Sequence, residues 1–260
     1  MSGLNTTRAP RRSRAFTLVE VMVVIAMITI LVSMVIMASG QMEQKALSTL
    51  DGANQRHVLT ASINHTIEHE GIWLNSMTSG ASDTWVDSYG DNIGPGNAET
   101  NDALTEGEAW QYLGDLALYK SPEDPSPRVR SYSLNSQVGV RYDGYHVTGG
   151  FGPETQTIPK IPMPGQTMLT ISEHSEYGYN PQGFYVGIPG TAWEGCWVDF
   201  PAYWNPKGVN IGYVDGSVRF YNFVDPNLPE LVNHASTWGV EGPDLSFFAS
   251  IMFPGWDQEW

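Results

Sequence analysis

Residues 11–38 read RRSRAFTLVEVMVVIAMITILVSMVIMA, in which the apolar run that starts at Phe16 is broken by one acid, Glu20, its fifth residue. Few features restrict a chain more. At about 1.5 Å per residue, residues 16–38 reach roughly 34 Å as a helix, enough to cross a bilayer. A carboxylate at mid-membrane costs about 2.5–3.5 kcal/mol on insertion scales and less near the interface, where Glu20 would lie. A cleaved secretory signal shares the basic start, here Arg8, Arg11, Arg12 and Arg14. Its apolar core is shorter than this one, however. A plain anchor accounts for the length and leaves the acid to snorkelling.

The full pattern is more specific than either reading. A basic leader, the small residue Ala15, then Phe16-Thr17-Leu18-Val19-Glu20 and an apolar run occur together. This resembles the N-terminus of type IV prepilins and type II secretion pseudopilins. The resemblance implies that a prepilin peptidase cuts between Ala15 and Phe16 and methylates the new amine. Ala15 departs from the glycine more usual before the cut. It also implies that Glu20 pairs with the N-terminal amine of a neighbouring subunit in a filament. The partners it implies are the peptidase, other pilin-like subunits or further copies of this chain, and an inner-membrane secretion or pilus assembly platform. The place implied is the inner membrane, crossed once, with the N-terminus cytoplasmic and the C-terminal domain periplasmic or otherwise extracytoplasmic.

Charge is consistent with that topology. The chain carries −15 formally. Residues 1–15 hold four Arg and no acid, so the remainder carries −19. A body this acidic is unsuited to nucleic acid or anionic lipid, and the basic leader belongs on the cytoplasmic side. The single cysteine, Cys196, excludes an internal disulfide, and its place between Trp193 and Trp197 suggests a buried thiol.

The helix is expected to outlast the membrane, running from 16 to 70 with residues 39–70 outside it. Leu47, Leu50, Val58 and Ala61 form one stripe, and Leu59, Ile63 and Ile67 form a second row. Gly71 is a natural stop. Gly40 and Gly52 are weak points, Gly40 being the better hinge candidate. Residues 71–260 then read as one globular β-rich domain, with turn signals at Gly90-Asp91-Asn92, Gly94-Pro95-Gly96, Asp143-Gly144 and Pro164-Gly165. A short helix is expected within 106–119, and strands at 130–134, 138–142 and 167–171. In 209–221, Asp215-Gly216 reads as a two-residue type I′ turn, pairing Tyr213 with Val218 and Ile211 with Phe220. The fold class expected is α+β and pilin-like: a long N-terminal helix, transmembrane in its first half, packed on a small antiparallel sheet.

A narrower resemblance is to an exported pilin-like family with His, nine residues and Asp-Gly near the C-terminus. Asn205 stands where that His would be. Ser121-Pro122-Glu123-Asp124-Pro125 and Ser131-Tyr132-Ser133-Leu134-Asn135 are similar to two further segments of that family.

Other sites compete with a purely structural role. His65-Thr66-Ile67-Glu68-His69 matches the His-x-x-Glu-His order of inverted zinc proteases, yet no third ligand is identifiable and a solvated helix face is the default. Glu173, Glu176, Glu194 and Asp199 are oxygen donors that suit Ca²⁺, though their spacing fits no calcium loop. No phosphate loop or nucleophile motif appears. The expectation is a structural filament subunit without catalytic residues. The alternative is a membrane-anchored exported binding protein that does not polymerise and uses the aromatic loop 177–204.

Overall fold

The computed structural model describes residues 16–78, 83–87, 100–139, 161, 163–174, 183–226, 228, 237–238 and 242–255. Ala15, Glu176, residues 140–142 and the turns expected at 90–96 and 143–144 lie outside them. The chain divides into two compact units, Met1–Glu43 and Gln44–Trp260. Helix α1, Leu18–Glu68, supplies residues to both.

In the first unit, residues 16–43 carry the apolar run. It is the one helix among the described residues long and apolar enough to cross a membrane. Its few hydroxyls turn inward on the helix. Thr29 Oγ1 donates to Ala26 O (2.8 Å), Ser33 Oγ to Ile30 O (2.7 Å) and Ser39 Oγ to Val35 O (2.8 Å). Each of these three hydroxyls is thus satisfied without water, as a lipid environment requires.

In the second unit, β1 (Tyr132–Leu134), β2 (Met168–Ser172), β4 (Gly208–Tyr213) and β5 (Val218–Asn222) form an antiparallel sheet in the order β1-β2-β4-β5. A two-stranded ribbon pairs β3 (Cys196–Trp197) with β6 (Thr237–Trp238). The segment 44–68 of α1 packs on one face of the sheet. Against the other face lies an aromatic core joined by α4 (Pro243–Met252), whose Leu245, Phe248, Ile251 and Met252 meet Ile171, Trp197, Phe200 and Ile211. Covered on both faces, β4 is buried at every residue. This is the expected α+β arrangement.

The helix–sheet contact is more polar than the apolar stripes imply. Leu50 and Ile67 are 55% and 74% exposed, whereas Asp51, Gly52, Gln55, Val58, Leu59 and Ser62 are buried. The helix also runs unbroken through Gly40 and Gly52, so neither is a break. Gly52 is buried against β4, where a Cβ would meet the Asn210 amide at 3.6 Å, an ordinary contact distance. The expected stop holds. Gly71 N–H donates to Thr66 O at 2.7 Å, and the left-handed turn that ends the helix comprises Glu70 (φ +54°) and Gly71 (φ +86°).

The β4–β5 hairpin forms, but one residue out of the expected register. Gly212 pairs with Val218, Ile211 with Arg219 and Asn210 with Phe220. Gly216 N–H donates to Tyr213 O (2.9 Å) and Tyr213 N–H to Ser217 O (2.8 Å). The loop is therefore three residues, Val214-Asp215-Gly216, with Gly216 left-handed at φ +84°. Asp215 is not among the described non-glycine residues with positive φ, so a type I′ turn is excluded. Asp215 Oδ1 accepts from Ser217 N–H (2.9 Å) and Ser217 Oγ (2.6 Å), which stabilises a type I turn followed by a bulge glycine. The slip moves Arg219, not Phe220, to the face of Tyr213, where its guanidinium sits 4.4 Å from the ring centroid.

The short helix expected within 106–119 forms only as one α-helical and one 3₁₀ turn, and a further helix precedes it. α2 (Asn101–Glu106) is capped by Thr100, α3 (Trp110–Leu113) ends at left-handed Gly114, and a 3₁₀ turn covers Leu116–Tyr119. Residues 138–139 lie in no strand. The C-terminal α4 has no counterpart in the sequence reading, although Gly242-Pro243-Asp244 is a helix-start signature with proline at the first turn.

Candidate functional site

At the N-terminal end, Thr17 and Glu20 form a capping box. Glu20 Oε2 accepts from Thr17 N–H (2.8 Å) and Thr17 Oγ1 (2.9 Å), while Glu20 N–H donates to Thr17 Oγ1 (3.2 Å). The acid therefore has an intramolecular duty in addition to any pairing between subunits: it satisfies donors that the first helical turn leaves open. The Thr-x-x-Glu spacing was legible in the sequence, and Thr17 is the residue that the sequence reading passed over. Phe16 precedes the helix and is exposed.

The polar contact between α1 and the sheet centres on Asp51, 1% exposed. Its Oδ1 accepts from Tyr132 Oη (2.8 Å) and Ser172 Oγ (3.3 Å). Its Oδ2 accepts from Asn210 Nδ2 (2.8 Å) and Gln55 Nε2 (3.2 Å). One carboxylate thus ties α1 to β1, β2 and β4. Gln55 extends the tie by donating to Asn210 O (3.0 Å) and accepting from Thr170 Oγ1 (3.1 Å). Near it, burial and the charge of Asp51 push Glu123 up to about 7, against the amide of Asn205, which donates to Glu123 Oε1 at 3.2 Å. The two segments singled out in the sequence around Glu123 and Asn205 therefore meet through these side chains.

Beyond the end of β1 lies a buried ionic cluster. Arg128 Nε contacts Asp124 Oδ2 at 2.7 Å, with both side chains almost fully buried. Asp124 also accepts from Ser131 Oγ (2.6 Å) and Ser126 N–H (2.8 Å). Burial opposes ionisation of Asp124, but Arg128 and these donors outweigh it and hold the carboxyl below its ordinary range. Arg128 also donates to the Glu173 carbonyl and lies 5.2 Å from the Trp204 ring centroid. Ser133 Oγ donates to the Glu173 carboxylate. Burial pushes that carboxyl upward, partly offset by Ser133 and by the nearby Arg130 and Arg128.

The described calcium candidates have separate settings. Glu173 sits in this arginine cluster, Glu194 accepts from Gly190 N–H (2.8 Å), and Asp199 accepts from Tyr185 N–H (2.6 Å). Among the described residues no three His, Cys, Asp or Glu side chains group as a metal site. The histidine motif is likewise engaged locally. His65 is buried with Nδ1 3.0 Å from Ile72 O, and its ring stacks on His69 at 4.0 Å. Glu68 accepts from Tyr112 Oη (2.8 Å). Cys196 is buried, and burial followed by the charge of Asp199 pushes its thiol up to about 11, which suppresses the thiolate.

Residues 10–36 match the family described as the prokaryotic N-terminal methylation motif. Comparison with curated proteins and with solved structures gives no match. The motif supports a type IV pilin- or pseudopilin-like protein processed by prepilin peptidase. With the apolar helix, it supports a membrane-anchored protein with a single span.

Proposed function

We propose that this chain is a structural subunit of a type II secretion pseudopilus or a related type IV-like filament. The observation that carries the reading is the methylation motif at residues 10–36, which runs into the apolar part of α1 with Glu20 in its first turn. In this reading prepilin peptidase cuts between Ala15 and Phe16 and methylates Phe16. The processed chain crosses the inner membrane once, with the globular unit outside the cytoplasm. Subunits extracted from the membrane by the assembly platform pack their apolar helices together, and Glu20 is neutralised there by the Phe16 amine of a neighbour.

The polar set around Asp51, Glu123 and Asp124 has a structural role in this scheme, and no catalytic step is assigned to it. Intact mass of the membrane-extracted protein tests the processing. The expected mass lacks residues 1–15 and carries about 14 Da more than the unmodified remainder, one methylene added to an amine. An uncut mass, or a cut after Ala38, would overturn the reading.

A further inference from the structure

The two edges of the main sheet are treated differently. At β1 the edge is closed. Phe184 N–H donates to Leu134 O (2.9 Å), Ser136 N–H donates to Phe184 O (3.1 Å), and Ser131 N–H reaches Tyr119 O (3.0 Å). All three β1 residues are buried. At β5 no described residue pairs with the outer side of the strand, where Arg219, Phe220 and Asn222 are exposed.

The hydrogen-bond alternation says which β5 groups face out. Tyr213 N–H to Ser217 O and Phe223 N–H to Lys207 O mark the odd-numbered residues as those bonded to β4. The N–H and C=O of Val218, Phe220 and Asn222 therefore point away from the sheet. Natural edges are usually guarded by proline, a bulge or an outward lysine. β5 has no proline or bulge, and its charge, Arg219, is turned onto the Tyr213 ring and toward Asp215 (3.6 Å). Beside the open groups, Phe220 is 39% exposed and gives an added strand an apolar neighbour.

We propose that the outer edge of β5 is a strand-addition site for an extended peptide segment of another protein, with alternating apolar residues and a neutral or basic character. Backbone pairing to Val218, Phe220 and Asn222 would supply affinity, and Phe220 with Val218 would select apolar side chains on one face. Charge selects the occupant: a body carrying −19 beyond the leader attracts a basic segment of another protein, and pairing with a second copy is the outcome the test separates from it. This inference concerns the globular unit and stands whether or not the chain polymerises.

The test uses the full chain in detergent micelles and a fluorescent peptide alternating lysine and valine, with a glutamate–valine peptide as its counterpart. Binding is read by anisotropy and by amide hydrogen exchange. The lysine peptide is expected to bind saturably and to slow exchange at Val218, Phe220 and Asn222, and the glutamate peptide to bind at least about tenfold more weakly. Phe220→Pro removes an outward N–H without touching the β4–β5 ladder and should weaken binding at least about tenfold, whereas Phe220→Thr, which keeps the amide, should retain most of it. Asn222→Pro repeats the test at a second outward position, should the first variant fold poorly. Absence of binding, binding without protection of these amides, or equal binding by a folded proline variant overturns the site. Self-association that protects the same amides without peptide overturns the choice of occupant.

Discussion

Asp51 on α1 and Asn210 on β4 are joined by a 2.8 Å hydrogen bond between two side chains buried under the helix. The same amide nitrogen donates to Ser48 O at 2.8 Å, one turn earlier on α1. Asn210 thus clamps two successive turns of the helix, and Asp51 holds the sheet through Tyr132 and Ser172 in return. Asp51→Ala should strand several of these donors. With about 1–3 kcal/mol for each buried group left unpaired, a destabilisation of about 3 kcal/mol is expected. Urea unfolding of the micelle-bound chain, followed by tryptophan fluorescence, checks it. A midpoint within error of wild type would mean that water replaces the carboxylate without cost.

Glu123 gives the globular unit a pH dependence of definite sign. Its folded pKa, about 7, lies above the ordinary glutamate value, so the native state prefers the protonated form. That contribution is fully present below about pH 4.5 and is lost as pH rises toward 7, with no further change above. Because the side chain is only half-buried, about 1–2 kcal/mol is a reasonable size after solvent screening. Glu173 is shifted in the same direction and Asp124 in the opposite one, so the total curve mixes all three. Glu123→Gln isolates one share: it should flatten the loss of stability between pH 5 and pH 8 and raise the urea midpoint at pH 8. An unchanged slope would place the carboxyl in water.

At the hairpin tip, Gly216→Val should destabilise the globular unit by more than about 1 kcal/mol, because a β-branched residue resists the left-handed φ of +84°. Asp215→Asn should be mild, since an amide oxygen can accept from Ser217 as the carboxylate does. Asp215→Ala, which loses both Ser217 contacts, should cost about 1 kcal/mol. Thermal unfolding of the three variants ranks them. Asn at 215 as damaging as Val at 216 would point to a role for the charge itself, such as its contact with Arg219.

Periodicity and turn residues carried much of the fold. The apolar run, the Gly71 stop, the existence of the β4–β5 hairpin and the burial of Cys196 were all visible in local patterns. The hairpin register was not, because Asp-Gly serves both a two-residue turn and a three-residue loop with a bulge glycine. One extra residue moves every side chain to the other face. The face of α1 that meets the sheet was only partly legible, for a different reason. The stripes rightly include Val58, Leu59 and Ala61, which are buried. Apolar spacing points to Leu50 and Ile67, but the buried face is held by Asp51, Gln55 and Asn210, residues whose burial depends on partners distant in sequence. The same holds for Glu123 with Asn205 and for Arg128 with Glu173. Pairs of this kind leave no periodic trace, whereas Thr17 and Glu20, three residues apart, did leave one.

That capping box separates two contributions within the Glu20 prediction. In the membrane-inserted monomer, loss of the acid should not hinder insertion, and Glu20→Leu should insert at least as readily. In a filament core the Phe16 amine would lose its counter-charge, which typically costs about 3–5 kcal/mol for a buried pair broken on one side. Loss of the cap alone costs about 0.5–2 kcal/mol. Thr17→Val removes the hydroxyl that both donates to Glu20 Oε2 and accepts from Glu20 N–H, yet keeps the carboxylate. It should therefore weaken cross-linked multimers modestly, while Glu20→Leu should abolish them and Glu20→Lys, with a second positive charge, should do no better. Cleavage before Phe16 should persist in all three. The measurement is co-expression of tagged variants with the native assembly machinery, scored separately for cleavage, membrane insertion and multimer ladders. If Thr17→Val were as damaging as Glu20→Leu, the acid would act through the helix end rather than through a neighbouring amine. If Glu20→Leu gave the wild-type ladder, polymerisation would not depend on the acid, and an anchored protein that binds partners without polymerising would become the better account.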